Sequence, residues 1–226
     1  MAVQTDPPPT RRRRRDSWSF RVGIVLVAGG LALLGYVGWQ LYGTNYVSQQ
    51  RHDETVASLR AEWDRPGGTA SVRTGDSLAG AVVRVPAFGA DYAVPLLEGV
   101  SDDALAGGFG LFPDSAAPGA VGNVAIAGHR VTHGEPLRAM PELQPGDEIV
   151  IETRDRIHTY VLDTGGDDLR VPFTAGWVVA TEPVNPDGGI GPTDEPRLIT
   201  VTTCAELFHT DDRLVAFGHL VDSRPR

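Results

Sequence analysis

Between Val22 and Trp39 the chain carries no charged residue, and this run follows directly on an arginine cluster, Arg11 to Arg15 and Arg21. Eighteen helical residues at ~1.5 Å each span ~27 Å, and extension to Tyr42 gives ~31 Å, matching the ~30 Å hydrocarbon core of a bilayer. Trp18 and Phe20 at one end and Trp39, Tyr42 and Tyr46 at the other supply the aromatic belts of two lipid–water interfaces. The stretch after the apolar run, Gly35-Tyr36-Val37-Gly38-Trp39-Gln40, offers no small-x-small cleavage site, so an uncleaved anchor is expected in place of a removed signal peptide. With arginines retained on the cytoplasmic side, everything beyond the anchor faces outward.

Charge divides the chain the same way. Residues 1 to 21 hold six arginines against Asp6 and Asp16, a net +4, whereas the whole chain is −9, leaving −13 beyond. A basic tail and an acidic exported domain argue against nucleic acid as the domain's partner. The organisation expected is a cytoplasmic tail over 1–21, a transmembrane anchor over 22–42, a stalk and linker over 43–80 and a folded extracellular domain over 81–226. Val56, Leu59 and Trp63 fall at helical spacing in the stalk, Pro66-Gly67-Gly68 stops it, and the Gly, Ser and Thr of 66–80 read as flexible.

Inside the domain the signals are strand-like. Ala81 to Val85, Asn123 to Ala127, Glu148 to Thr153, His158 to Asp163, Gly176 to Thr181, Arg197 to Thr203 and Leu214 to Leu220 are short runs rich in Val, Ile, Thr and Tyr, bounded by Pro, Gly and Asp. Asp102 to Gly107 and Leu137 to Leu143 read as short helices. This spacing predicts an all-β barrel or sandwich.

One cysteine, Cys204, ends the run Leu198-Ile199-Thr200-Val201-Thr202-Thr203-Cys204. In an oxidising compartment it has no internal disulfide partner, which suggests nucleophilic chemistry. A thiol nucleophile needs a base. His129 ends a second apolar run, Gly122 to Gly128, while His52 in the stalk and His158 in a hairpin are expected to face solvent. Arg213 opens the strand after the loop Ala205 to Asp212, so a hairpin brings it beside Cys204, where a guanidinium can donate to an oxyanion. Each residue also has a plain structural reading: Cys204 as a small core residue, His129 as a hydrogen-bonded rim histidine, Arg213 as an ion pair with Asp211 or Asp212.

Together these residues resemble the sortase family. Leu198 to Cys204 is similar to the Thr-Leu-x-Thr-Cys signature, Arg213 lies at the distance of the family's arginine, and His129 sits in the matching Gly-His motif. Arg84-Val85-Pro86, Leu97-Glu98-Gly99-Val100, Leu105-Ala106-Gly107-Gly108 and Pro118 to Asn123 extend the likeness through the exported domain. The resemblance implies an eight-stranded β-barrel with short helices behind an N-terminal transmembrane helix, and a cysteine transpeptidase without cofactor or metal. Cys204 would attack the Thr–Gly carbonyl of a C-terminal sorting motif on a secreted protein, and an amine of the peptidoglycan precursor would resolve the thioacyl intermediate. His129 would move the protons, Arg213 would steady the oxyanion, and Thr203 would help hold the substrate.

The anchor, Gly128-His129-Arg130-Val131-Thr132-His133-Gly134 and a basic set made wholly of arginine look most like class E sortases of high-GC Gram-positive bacteria, which prefer Leu-Ala-x-Thr-Gly. Val201 in place of leucine, Ala205 in place of proline and His133 in place of tyrosine depart from that pattern. Two rivals are a wall- or protein-binding β-domain with an inert Cys204 and a metal site from His129, His133, His209 and Cys204. His133 and His209 are expected to be dispensable for activity. Topology is open to a direct check: protease added to intact cells should digest residues beyond Tyr46 and spare the arginine tail, and a protected C-terminal domain would reverse the orientation.

Overall fold

The structure, a computed structural model, describes residues 16–39, 44–204 and 211–226, with Cys204 described through its backbone. The arginines at 11–15, Tyr42, Ala205 and His209 lie outside the described residues. Two compact units are present, residues 1–40 and 41–226. The first holds helix α1 (Asp16–Gly38), whose segment Trp18–Gly38 has the length and apolarity to cross a membrane, with a mean hydropathy of 2.0 in its most apolar window and no buried share.

The second unit is built on a closed barrel. Its strands are β1 (Val72–Thr74), β2 (Ser77–Arg84), β3 (Val94–Glu98), β4 (Phe109–Leu111), β5 (Gly122–Ala127), β6 (Glu148–Glu152), β7 (Arg156–Leu162), β8 (Leu169–Pro172), β9 (Arg197–Cys204) and β10 (Asp212–Pro225). The hydrogen-bonded order β2-β3-β4-β5-β9-β10-β7-β6 returns to β2 through Val83↔Ile151, so eight strands close the ring. β1 extends β2, and β8 pairs with the first residues of β10. Closure leaves no free edge in the ring. Val83, Leu96, Phe109, Ile126, Ile151, Tyr160, Ile199 and Leu214 fill the interior.

The expected hairpin over 148–162 forms, with Ile149 opposite Tyr160. α3 (Asp102–Gly107) starts on Ser101, whose side chain accepts from Ala104 N at 3.3 Å. Two expectations differ. Gly176 to Thr181 is a 3-10 turn over Gly176–Val179, because its apolar residues close over the outside of the sheet instead of pairing with it. His158 is buried, because β7 alternates strictly and places His158 on the inward side with Tyr160 and Leu162. Its Nδ1 lies 3.0 Å from Ser223 Oγ.

The stretch 43–80 is also not the stalk and flexible linker the sequence suggests. Helix α2 (Thr44–Asp64) packs on the barrel: Val56, Leu59 and Trp63 are buried with Ala79, Val82, Leu97 and Ala104. The helical spacing was legible, but the apolar stripe needs a partner, and β2 and β3 supply it. Arg60 bonds Glu152 at 2.9 Å, and Arg226 bonds Glu152 and Asp64, each at 2.9 Å, while lying over the Trp63 ring. Burial works against the charged Glu152, but hydrogen bonds from Arg60 and Arg226 outweigh it and hold the carboxyl below its ordinary range. β1 and the start of β2 occupy the expected linker.

Leu59 is fully buried. Leu59→Ala should therefore cost ~2–5 kcal/mol in denaturant unfolding of the whole chain, the range for truncating a buried leucine. A stalk residue would show no change.

Candidate active site

The site is set by two strands that run side by side in the same direction. β5 and β9 are parallel, from Gly122↔Arg197 to Ala127↔Thr202. Two further bonds carry the pairing past the end of β5: Gly128 N donates to the Thr202 carbonyl at 3.2 Å, and Thr203 Oγ1 donates to the Gly128 carbonyl at 2.7 Å. His129 and Cys204 thus each follow the Ala127–Thr202 pair by two positions. On the other side of β9, Cys204 pairs with Arg213 of β10. The backbones of His129, Cys204 and Arg213 therefore meet at one end of three adjacent strands, with neighbouring strands ~4.8 Å apart. Gly128 suits this crowded point, since a Cβ there would lie 3.2 Å from both Leu137 and Phe109 side chains.

A groove of about 470 Å³ opens at these strand ends. Ala127, Gly128, Thr202 and Thr203 form its strand side, α3 and the preceding loop contribute Val100, Asp102 and Leu105, and the opposite side comes from Val171–Phe173 and Gly176–Val179. Buried Asn123 holds that last segment in place: its Nδ2 donates to Ala180 O at 2.9 Å, while its Oδ1 accepts from Thr200 Oγ1 at 3.0 Å. His129 and Arg213 line the groove. Arg213 Nη1 donates to the Asp212 backbone carbonyl at 3.1 Å. The groove is thus mainly apolar with a few polar groups, the usual composition of a ligand-binding site.

Burial and the neighbouring His133 push the His129 imidazole down to about 4, with Asp102 opposing. The ring is consequently neutral at pH 7, with a lone pair free to accept a proton. His133 stacks on it at 4.7 Å between centroids and 29° between planes. The residues from 129 to 133 are not helical and His133 has φ 54°. Among the described residues no group of three or more His, Cys, Asp or Glu side chains is placed to hold a metal ion.

Residues 83–221 match the sortase domain. The chain belongs to the sortase family. Sortase SrtE1 of Streptomyces coelicolor is 32% identical over 222 residues, covering 91% of this chain and 58% of its own length, so this chain spans less than two thirds of that relative. Among solved structures, sortase E of Streptomyces avermitilis superposes with a TM-score of 0.56 at 33% identity, over 65% of this chain and 90% of that one. Sortase E1 of Streptomyces coelicolor with a tripeptide in the active site gives 0.52 at 35% identity, over 65% and 90%. These relatives bear out the likeness to class E members.

Several features of this sortase domain escaped the sequence. The sequence marks no element at Val171–Phe173 and suggests a strand over Gly176 to Thr181, so the groove side these segments form is not legible in it. Asp102 was seen only as a helix start. His52, expected in solvent, is 3% exposed against the turn that follows His129. The periodicity of α2 was the available signal, since His52 and Thr55 share the face of Val56 and Leu59.

Burial, the largest cause in each case, lowers His52, His129 and His158 below the ordinary 6.5. The unfolded chain then takes up protons near pH 6.5 while the folded chain resists until lower pH, so stability is full above that value and falls as pH drops. Melting temperature should decline from pH 7 to pH 4.5, and His129→Gln should flatten the decline. An unchanged slope in that variant contradicts the lowered state of His129.

Proposed function

We propose that this sortase is a membrane-anchored cysteine transpeptidase, with α1 crossing the cell membrane, the N-terminus in the cytoplasm and the barrel outside. The observation that carries the reading is the meeting of the His129, Cys204 and Arg213 backbones at one end of three adjacent strands in a sortase domain, where His129 and Arg213 line a groove. Its substrates are secreted proteins with a C-terminal Leu-Ala-x-Thr-Gly-like or Leu-Pro-x-Thr-Gly-like motif, and its acceptor is an amine of the peptidoglycan precursor.

In the first half-reaction neutral His129 takes the Cys204 thiol proton as sulfur attacks the Thr–Gly carbonyl carbon. The carbonyl becomes an oxyanion, to which Arg213 donates hydrogen bonds. Collapse breaks the C–N bond, His129 protonates the departing glycine amine, and a thioester to Cys204 remains. In the second half-reaction the acceptor amine loses its proton to His129 while attacking the thioester. The Cys204 thiolate leaves and the proton returns to it. Both half-reactions begin with the neutral ring, the form that burial of His129 favours. Thr203 contributes to the groove surface that meets the motif, with its hydroxyl proton already given to Gly128 O.

The test is incubation of the full chain in detergent with a Leu-Ala-x-Thr-Gly peptide and an amine, followed by mass spectrometry. Cys204→Ala should abolish both the thioacyl adduct and the product; turnover by that variant would sink the proposal. His129→Ala should lose ~10²–10⁴-fold in kcat/KM, the usual contribution of positioned proton transfer. Arg213→Lys keeps the charge but loses the planar fork of donors, so kcat should fall ~10²–10³-fold with little change in Tm. Near-normal activity in the lysine variant would return Arg213 to a structural role.

A further inference from the structure

His133 is dispensable on the sequence reading and has no part in the chemistry above, yet its ring stacks on the residue that moves the protons, which argues against that reading. It lies in a turn where two residues with side chains adopt left-handed backbone, His133 at φ 54° and Glu135 at φ 52°. That conformation costs roughly 1–2 kcal/mol for most L-residues, with histidine among the more tolerant, so the turn needs support. Helix α2 gives it. The Asn45 side chain donates to the Val131 carbonyl at 3.4 Å and to the Glu135 carboxylate, and accepts from Gly134 N at 3.1 Å. Gly134, at φ 82°, lies so close to α2 that a Cβ would sit 2.7 Å from His52 Cε1. The outcome is the His133 ring laid against His129 at 4.7 Å, with His133 Nδ1 3.0 Å from Thr132 Oγ1.

We propose that His133 is a positioning residue for His129: the turn clamped by Asn45 holds its ring against the imidazole and fixes the plane in which His129 exchanges protons at the groove. The inference rests on the proposed role of His129. An imidazole lining a groove is otherwise free to rotate about its side-chain bonds, and misplacement of a reacting group by about 1 Å can cost ~10²-fold in rate. Besides Cys204, whose backbone lies on the neighbouring strand, the charged or titratable groups around His129 among the described residues include Asp102 from α3, His133 from the turn and Arg213 from β10, which lines the same groove, and His52 of α2 faces His133.

Two substitutions separate ring from turn. His133→Asn keeps a residue that tolerates left-handed backbone but removes the ring, whereas His133→Tyr restores a ring of similar reach. With the full chain in detergent and a Leu-Ala-x-Thr-Gly peptide plus an amine, His133→Asn should lower kcat roughly 10–100-fold with KM and Tm little changed. His133→Tyr should recover most of kcat. Loss of the covering ring and its like charge should also move the acidic limb of kcat/KM in His133→Asn to higher pH. Asn45→Ala, which touches neither ring, should lower kcat in the same direction. Normal kcat in His133→Asn overturns the inference, as does an equal loss in the asparagine and tyrosine variants accompanied by a fall in Tm. Cys204→Ala run alongside keeps the two readings apart: turnover there defeats the transpeptidase itself, whereas a dead Cys204→Ala beside a normal His133→Asn defeats only the positioning role.

Discussion

Everything at the groove depends on β5 and β9 running parallel. Had they paired antiparallel, the residues following each strand would leave from opposite ends of the barrel, and His129 could not approach Cys204. Parallel neighbours cannot be joined by a tight turn, so the chain between them must make a long crossover. It does so through β6, β7 and β8, and returns with Thr203 hydrogen-bonded to Gly128, seventy-five positions earlier. A slip of one residue would turn alternate side chains to the wrong face. It would also break both Thr200–Asn123 and Thr203–Gly128, leaving buried polar groups unsatisfied at ~1–3 kcal/mol each.

The same pair of strands builds the ligand groove. Asn123 sits at the start of β5 with no exposed surface, and its amide reaches the carbonyl of Ala180 beyond the 3-10 turn. The segment bearing Val178 and Val179 is thereby referenced to β5, and β5 to β9. Strand register, the approach of His129 to Cys204 and groove shape are one hydrogen-bonded unit, so a buried asparagine at the opposite end of β5 has leverage over them.

This explains what could be read from the sequence. β5, β6, β7, β9 and β10 are legible because each carries a local period-two or apolar run, and the sortase likeness is legible because Gly128-His129, Thr203-Cys204 and Arg213 each lie within short motifs. β3, β4 and β8 are short and owe their strand character to neighbours: Leu96 pairs with Phe109, and Val171 with Arg213. Nothing local marks them. His158 was misplaced because the hairpin's pattern fits either face until Tyr160 and Leu162 are known to point inward. His52 and the Val56, Leu59 and Trp63 stripe were visible as a helix face, but a stripe does not say what covers it. The Gly, Ser and Thr of 66–80 read as flexible because β1 is only three residues long and its order comes from pairing with β2.

The misreading of α2 matters most for how the molecule works. The helix is fastened at both ends of its ~31 Å length. Near its start Asn45 and His52 hold the turn that carries His133; near its finish Arg60, Trp63 and Asp64 engage Glu152 and Arg226. Between them Val56 and Leu59 cover Val82, Leu97 and Ala104. A domain cut at Pro66, where the sequence suggests a linker begins, would expose that apolar patch, leave Glu152 with one arginine in place of two, and release the turn behind His129. The stretch that looks like a spacer in the sequence is therefore a strut for the turn that lays His133 against His129.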